Sequence, residues 1–282
     1  MQYRPSRHFD AQQALQRQAL NEILAEQRLY PHFQPIVDLK QGRMLGYEAL
    51  IRGPKGSLLH TPAALFGAAI REGRQLELER LCRQLSLQHF ARLPVGNTLF
   101  LNVTASLLSS PGHEHGFTVE LLRQLGIAVE SIVIELSEQH PFDQQGLTRA
   151  AVEHYRSMGF RIAIDDLGTG YSGLKLWSEL QPEFVKIDRH FIHRLDQDPV
   201  KRAFVRSICQ VGRNLGCRVL AEGIEQPDEL RVLQQLGIEL GQGFLLGRPA
   251  AVPSAALTPA QVRATRPSRA RRMFQALGLR TA

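Results

Sequence analysis

Between Phe33 and Leu246 the chain repeats one unit: a short apolar run of four to seven residues, followed in most cases by a segment of helical spacing. The runs are Phe33–Leu39, Leu45–Ile51, Thr98–Val103, Ile132–Leu136, Arg161–Ile164, Phe184–Ile187, Arg218–Ala221 and Gly243–Leu246. Eight strands close a barrel, and a barrel of this kind commonly takes about 250 residues. A chain of 282 residues therefore accommodates one barrel with extensions. The intervening segments, such as "QQGLTRAAVEHYRSMG" and "DPVKRAFVRSICQVGRNLG", end on Gly159, Gly216 and Gly237, where helix C-terminal caps are wanted. Alternation of strand and helix from the third run onward predicts parallel pairing. The first two runs are joined only by "KQGRM", too short for a helical crossover and suited to an antiparallel hairpin. The expected fold class is α/β, a (β/α)8 barrel with one antiparallel strand. A doubly wound open sheet is the alternative.

Three segments are expected: an amphipathic N-terminal helix over 1–29 carrying Phe9, Leu15, Leu20, Ile23, Leu24 and Leu29, a barrel over 30–250, and a basic linker and tail over 251–282. The net charge of +7 comes almost entirely from the last of these. Six arginines and no acid lie between Gln261 and Ala282, leaving residues 1–260 at +1. A nearly neutral body gives no basic face for DNA or RNA, and the tail is read as solvated or docked rather than as a membrane contact. No signal-peptide core and no run of 18 apolar residues is present. Cys82, Cys209 and Cys217 show no CxxC spacing and fit free thiols in a cytoplasmic protein.

Chemistry in a barrel collects where the strands end. Walking the runs gives Glu48, Asn102, Glu135, Asp165 with Asp166, Lys186 with Asp188, Glu222 with Glu225, and Gln242. One acid after a strand is ordinarily a cap or a solvated loop residue. Several acids converging on one rim repel unless a cation holds them. The set is all oxygen, with no thiolate or paired imidazole, which suits Mg²⁺ or Mn²⁺ rather than zinc. Adjacent Asp165 and Asp166 can serve two ions at once, as two-metal phosphodiester hydrolysis requires. The glycines that follow, in "GTGYSG" (168–173), match a dinucleotide-binding spacing, but two preceding acids would repel a pyrophosphate. They are better read as freedom for a flap beside the metal ligands.

The motifs "GYEALIR" (46–52), "LNVT" (101–104), "IELSE" (134–138), "IDDLGTGYSGL" (164–174), "VKIDRHFI" (185–192), "AEGIE" (221–225) and "QGFLLGRP" (242–249) together resemble the EAL-domain cyclic di-GMP phosphodiesterases, from about Tyr30 to Pro249. The resemblance implies a TIM-like barrel whose first strand pair is antiparallel, and hydrolysis of cyclic di-GMP to linear pGpG. It implies two divalent ions, Mg²⁺ or Mn²⁺, on Glu48, Asn102, Glu135, Asp165 and Asp166, with Asp165 bridging. Glu222 would be the general base or a ligand to the nucleophilic water, and Lys186 would orient or polarise that water. Substrate-side positions would be Gln34, Leu50, Arg52, Asp188, Glu225, Gln242 and Pro249, with Arg52 on a phosphate. Glu225 and Gln242 would support metal-bound waters, and Asp188 would be either part of the ligand shell or structural. Glu138 would anchor the loop after the double aspartate, and a homodimer is the family's usual assembly.

Three departures from the family pattern fall in that loop, one of them "KLW" (175–177) in place of a serine-tyrosine-leucine ending. Leu167 stands where phenylalanine is usual and Gly173 where serine is usual. None removes a metal ligand. Two classes of function therefore stay open: a phosphodiesterase, or a weak or inactive receptor that binds cyclic di-GMP and signals through a partner. Retention of Glu48, Asp165, Asp166, Lys186 and Glu222 favours the enzyme.

Overall fold

The structure is a computed structural model; it describes residues 7–94, 96–104, 116–137, 147–168, 173–258, 261 and 265. Its strands are β1 (Tyr30–Asp38), β2 (Arg43–Arg52), β3 (Thr98–Asn102), β4 (Ile132–Ser137), β5 (Arg161–Leu167), β6 (Phe184–Ile187), β7 (Arg218–Ala221) and β8 (Leu240–Gly241). They form a closed barrel in chain order. β1 is antiparallel to both β2 and β8, and all other pairs are parallel. The hairpin follows from local chemistry: the Asp38 carboxylate accepts from the Lys40 and Gln41 amides at 3.1 and 2.9 Å, closing the turn.

The eighth strand is displaced from its expected place. Leu240–Gly241 supplies the ladder, whereas 243–246 forms a turn in which Leu246 N and Gly247 N donate to Gly243 O. Leu246 is nonetheless fully buried, so an apolar run that reads as a strand is a packed turn.

The helices are α1 (Arg7–Ala25), α2 (Pro62–Arg71), α3 (Gln75–Phe90), α4 (Phe117–Leu125), α5 (Leu147–Ser157), α6 (Gly173–Leu180), α7 (Arg189–Ile192), α8 (Pro199–Leu215) and α9 (Pro227–Leu236). Thr61 caps α2 and Asp198 caps α8, each followed by proline at the first helical position. α1 is docked, because Leu20, Ile23 and Leu24 share a buried cluster with Leu65, Ala68 and Leu78 of α2 and α3 and with Ile51 of β2. Among the described residues no helix is long and apolar enough to cross a membrane.

Side chains alternate between the barrel lumen and the helical layer. One lumen layer is Ile36, Phe100, Val133, Ala163, Phe184, Leu220 and Leu240, closed by an edge-to-face contact of Phe100 and Phe184 at 5.2 Å. The neighbours Val185 and Ile187 join the clusters packed outside. This period of two decides what lies above the layer.

Candidate active site

Two residues past each apolar lumen residue, the same strand must place a side chain in the lumen again, one level higher. Phe100 is thus followed by Asn102, Val133 by Glu135, Ala163 by Asp165, Phe184 by Lys186, Leu220 by Glu222 and Leu240 by Gln242. β1 runs the other way, so its upper residue is Gln34, two before Ile36, opposite Glu48 in the β1–β2 register. One layer of the barrel holds the core, and the next holds the polar set.

At the centre is Lys186, fully buried. Its Nζ lies 2.8 Å from Glu222 Oε1, 2.9 Å from Glu135 Oε1, 3.0 Å from Asp165 Oδ1 and 3.5 Å from Glu48 Oε2. Burial alone would lower the lysine pKa, but Asp165, Glu135, Glu222 and Glu48 together hold it well above its ordinary value. One ammonium cannot balance four carboxylates. Burial pushes Glu135 and Glu222 well above the usual carboxylate range, and nearby acids push further: Glu48 and Asp165 at Glu135, Asp165 and Glu48 at Glu222. Burial likewise opposes ionisation of Glu48. There Lys186, the Gln242 amide at 2.7 Å and the Asn102 amide at 3.0 Å overcome it and lower the pKa. Among the described residues, neither oxygen of Glu135 has an aligned hydrogen-bond donor, although the lysine charge is close.

Asp166 breaks the alternation. A register irregularity lies between Ile164 and Leu167, and Asp166 has φ +57°, a left-handed conformation that aspartate tolerates better than most residues. Its amide donates to the Asp165 carboxylate at 2.8 Å. The bulge turns Asp166 toward the lumen, where burial, then Asp165, raise its pKa to about 6. Two groups of three carboxylates result: Glu48, Glu135 and Asp165, and Asp165, Asp166 and Glu222, with the candidate ligand atoms in each within 4.8 Å of one another. Asp165 belongs to both. A hard divalent cation fits these groups, because the donors are oxygens and their repulsion is uncompensated.

Above this layer is a cavity of about 460 Å³ walled by Gln34, Glu48, Leu50, Glu222, Glu225 and Gln242, with Arg189, Gly223, Gly243 and Phe244 completing it. A recess of about 360 Å³ opens beside it from Glu48 and Asn102 toward Phe66, Glu79 and Arg83 on α2 and α3. Gln34 bridges Gln242 and the Gly247 carbonyl at 3.1 and 3.2 Å. Arg52 ends β2 and donates to the Ile51 carbonyl at 2.8 Å. Asp188 caps α7, accepting from the His190 amide at 2.7 Å. Arg52, Asp188 and Pro249 are not walls of the larger cavity. Leu167 is buried in the layer between barrel and helices, and Gly173 opens α6. Glu138 and positions 169–172 lie outside the described residues.

Glu229 escaped the reading of the sequence. It is fully buried and accepts from the Arg194, Glu225 and Gln226 amides at 2.9, 3.0 and 2.9 Å, tying down the loop that carries Glu222 and Glu225. The local signal was "QPDE" (226–229), the spacing of a capping box at the start of α9. Arg189 also escaped it. Its guanidinium pairs with Glu225 at 3.0 Å.

The EAL domain profile matches residues 14–249. A bifunctional diguanylate cyclase/cyclic di-GMP phosphodiesterase, MucR of Pseudomonas aeruginosa, is 32% identical over 258 residues, covering 88% of this chain and 37% of that protein. Among solved structures, the manganese/cyclic di-GMP complex of BlrP1 from Klebsiella pneumoniae superposes with a TM-score of 0.74 at 30% identity, covering 82% of this chain and 58% of that one. A standalone EAL protein of Vibrio cholerae bound to cyclic di-GMP gives 0.71 at 28% identity, covering 83% and 97%. The chain spans between about a third and a half of the length of the first curated relatives it matches.

Proposed function

The chain belongs to the EAL domain family, and from that premise we propose that it is a phosphodiesterase that uses two divalent ions, Mg²⁺ or Mn²⁺, to hydrolyse cyclic di-GMP to pGpG. The observation that carries the reading is the double membership of Asp165: two carboxylate groups share one residue above a single buried ammonium. Glu48, Asn102, Glu135, Asp165 and Asp166 would hold the ions, with Asp165 between them. When bound, such ions offset charge on the phosphoryl oxygens and acidify water. The chain's own groups do the rest. Gln242 and Asn102 fix the Glu48 carboxylate by one hydrogen bond to each oxygen. Glu222, desolvated and crowded by Asp165, is a stronger base than a solvated glutamate and accepts the proton of the attacking water. Lys186, 2.8 Å away, orients Glu222 and favours ionised oxygen beside it. Leu50 and Gln34 wall the cleft for the dinucleotide, with Arg52, Asp188, Gln242, Glu225 and Pro249 around it.

The barrel unit over 30–250 is proposed to act with α1 packed against it, in the cytoplasm, and to pair with a second copy. Val200, Phe204, Val211 and Leu215 of α8, with Leu174 of α6, are exposed apolar side chains that support a homodimer. Purified chain with Mn²⁺ or Mg²⁺ should convert cyclic di-GMP to pGpG, read by chromatography. Binding without any turnover would overturn the enzyme and leave the receptor.

A further inference from the structure

We infer that Arg189 is a substrate-recognition residue that takes the phosphodiester not being cut, and that Glu225 is a positioning residue that holds Arg189 ready for it. The inference rests on the proposed reading of the substrate. Cyclic di-GMP carries two phosphodiesters, each a monoanion at neutral pH. The carboxylate layer, loaded with its cations, attends to the one being hydrolysed. The second anion meets the cavity above that layer, where Glu225 would repel it unless a cation stands beside that acid. Among the described residues that line it, Arg189 is the cationic side chain.

Its position is built rather than incidental. Gly223, directly after Glu222, has φ +67°, and a Cβ there would stand 2.4 Å from Arg189 Cγ and 2.7 Å from Arg189 Cβ. The arginine stem therefore lies on the glycine backbone and reaches over the loop from β7. Its guanidinium then meets Glu225 at 3.0 Å. Glu225 itself is fixed through its amide by buried Glu229. The Arg189–Glu225 pair is half-exposed, so its worth to stability is small. What it fixes is direction: a planar guanidinium with donors to spare beside the cleft, suited to a phosphate.

The test compares two diesters. With cyclic di-GMP and Mn²⁺, Arg189→Ala should raise KM by about 10–100-fold and change kcat less than about threefold. Hydrolysis of bis(p-nitrophenyl) phosphate, which has one phosphate and no second, should be unchanged. Arg189→Lys should recover part of the KM, and Glu225→Gln should raise it less than Arg189→Ala does. Calorimetric titration of cyclic di-GMP in Ca²⁺ should show the same loss in Kd. An unchanged KM and Kd in Arg189→Ala, or equal losses on both diesters, would overturn the inference. If the parent protein cuts neither diester, hydrolysis as its function fails, while the Kd of Arg189→Ala still decides the role of Arg189.

Discussion

The two ends of the barrel treat charge in opposite ways. At the closed end, Arg218 pairs with Asp38 at 3.0 Å and with Glu239, Lys40 pairs with Glu239, and Arg161 and Arg218 both lie over the Phe184 ring. Each acid there has a cationic partner, and these pairs tie β7 to β1 across the seam. At the open end, one lysine stands among Glu48, Glu135, Asp165 and Glu222, with Asp166 beside them. The same strands carry both sets, two levels apart. The fold is secured at the floor, so the rim can be left electrostatically incomplete, a deficit that bound cations remove at neutral pH.

The largest expected effect comes from deepening that deficit. Lys186→Met should abolish turnover and lower stability at pH 8 without metal by about 3–5 kcal/mol, the scale for stranding a buried charge, read by denaturant unfolding. Glu222→Gln removes one negative charge instead. It should cost about 10²–10⁴-fold in kcat while the metal-free protein melts no lower than the parent. A clear fall in melting temperature would mean that the rim is balanced after all. At the floor, Arg218→Ala should destabilise by about 1–3 kcal/mol, because Asp38 is buried but the arginine is partly exposed, and kcat should be kept. A loss of kcat matching that of Glu222→Gln would erase the distinction between the two ends.

The smallest effect is that of pH on metal-free protein. Asp166, Glu135 and Glu222 have folded-state pKa values above their unfolded ones. Raised acids are protonated and harmless at low pH, and they cost stability as pH climbs from the unfolded value, about 4, through the folded one, about 6 for Asp166. With chelator present the melting temperature should therefore fall by a few degrees between pH 5 and pH 8, and Mn²⁺ should restore it at pH 8. A rise over that interval would reverse the sign of the argument.

Much of this was legible because the governing period is two. Once Phe184 is placed in the lumen, Lys186 follows, and the same step delivers Glu135, Asp165, Glu222 and Gln242. The short hairpin link revealed the reversed β1, which is why Gln34 joins a rim otherwise supplied by strand ends. Asp166 was legible from its place beside Asp165 at a strand end and not from the alternation, since strict alternation would turn it away from the lumen and the bulge that re-aims it is a backbone event. The turn at 243–246 was misread because burial, not pairing, makes it apolar. Arg189 could not be found at all from spacing. Its place depends on Gly223, distant in sequence, allowing the arginine stem to lie across it.

The reversal of β1 also fixes where the chain enters the barrel. In a barrel whose strands all run upward, the first strand begins at the floor. Here Tyr30 begins β1 at the rim, in register with Arg52, and Gln34 follows four residues later. α1 leads directly into that start, and its packing on α2 and α3 reaches Ile51 beside Arg52. Whatever packs against α1 therefore bears on the rim, where β1 starts, before it bears on the floor.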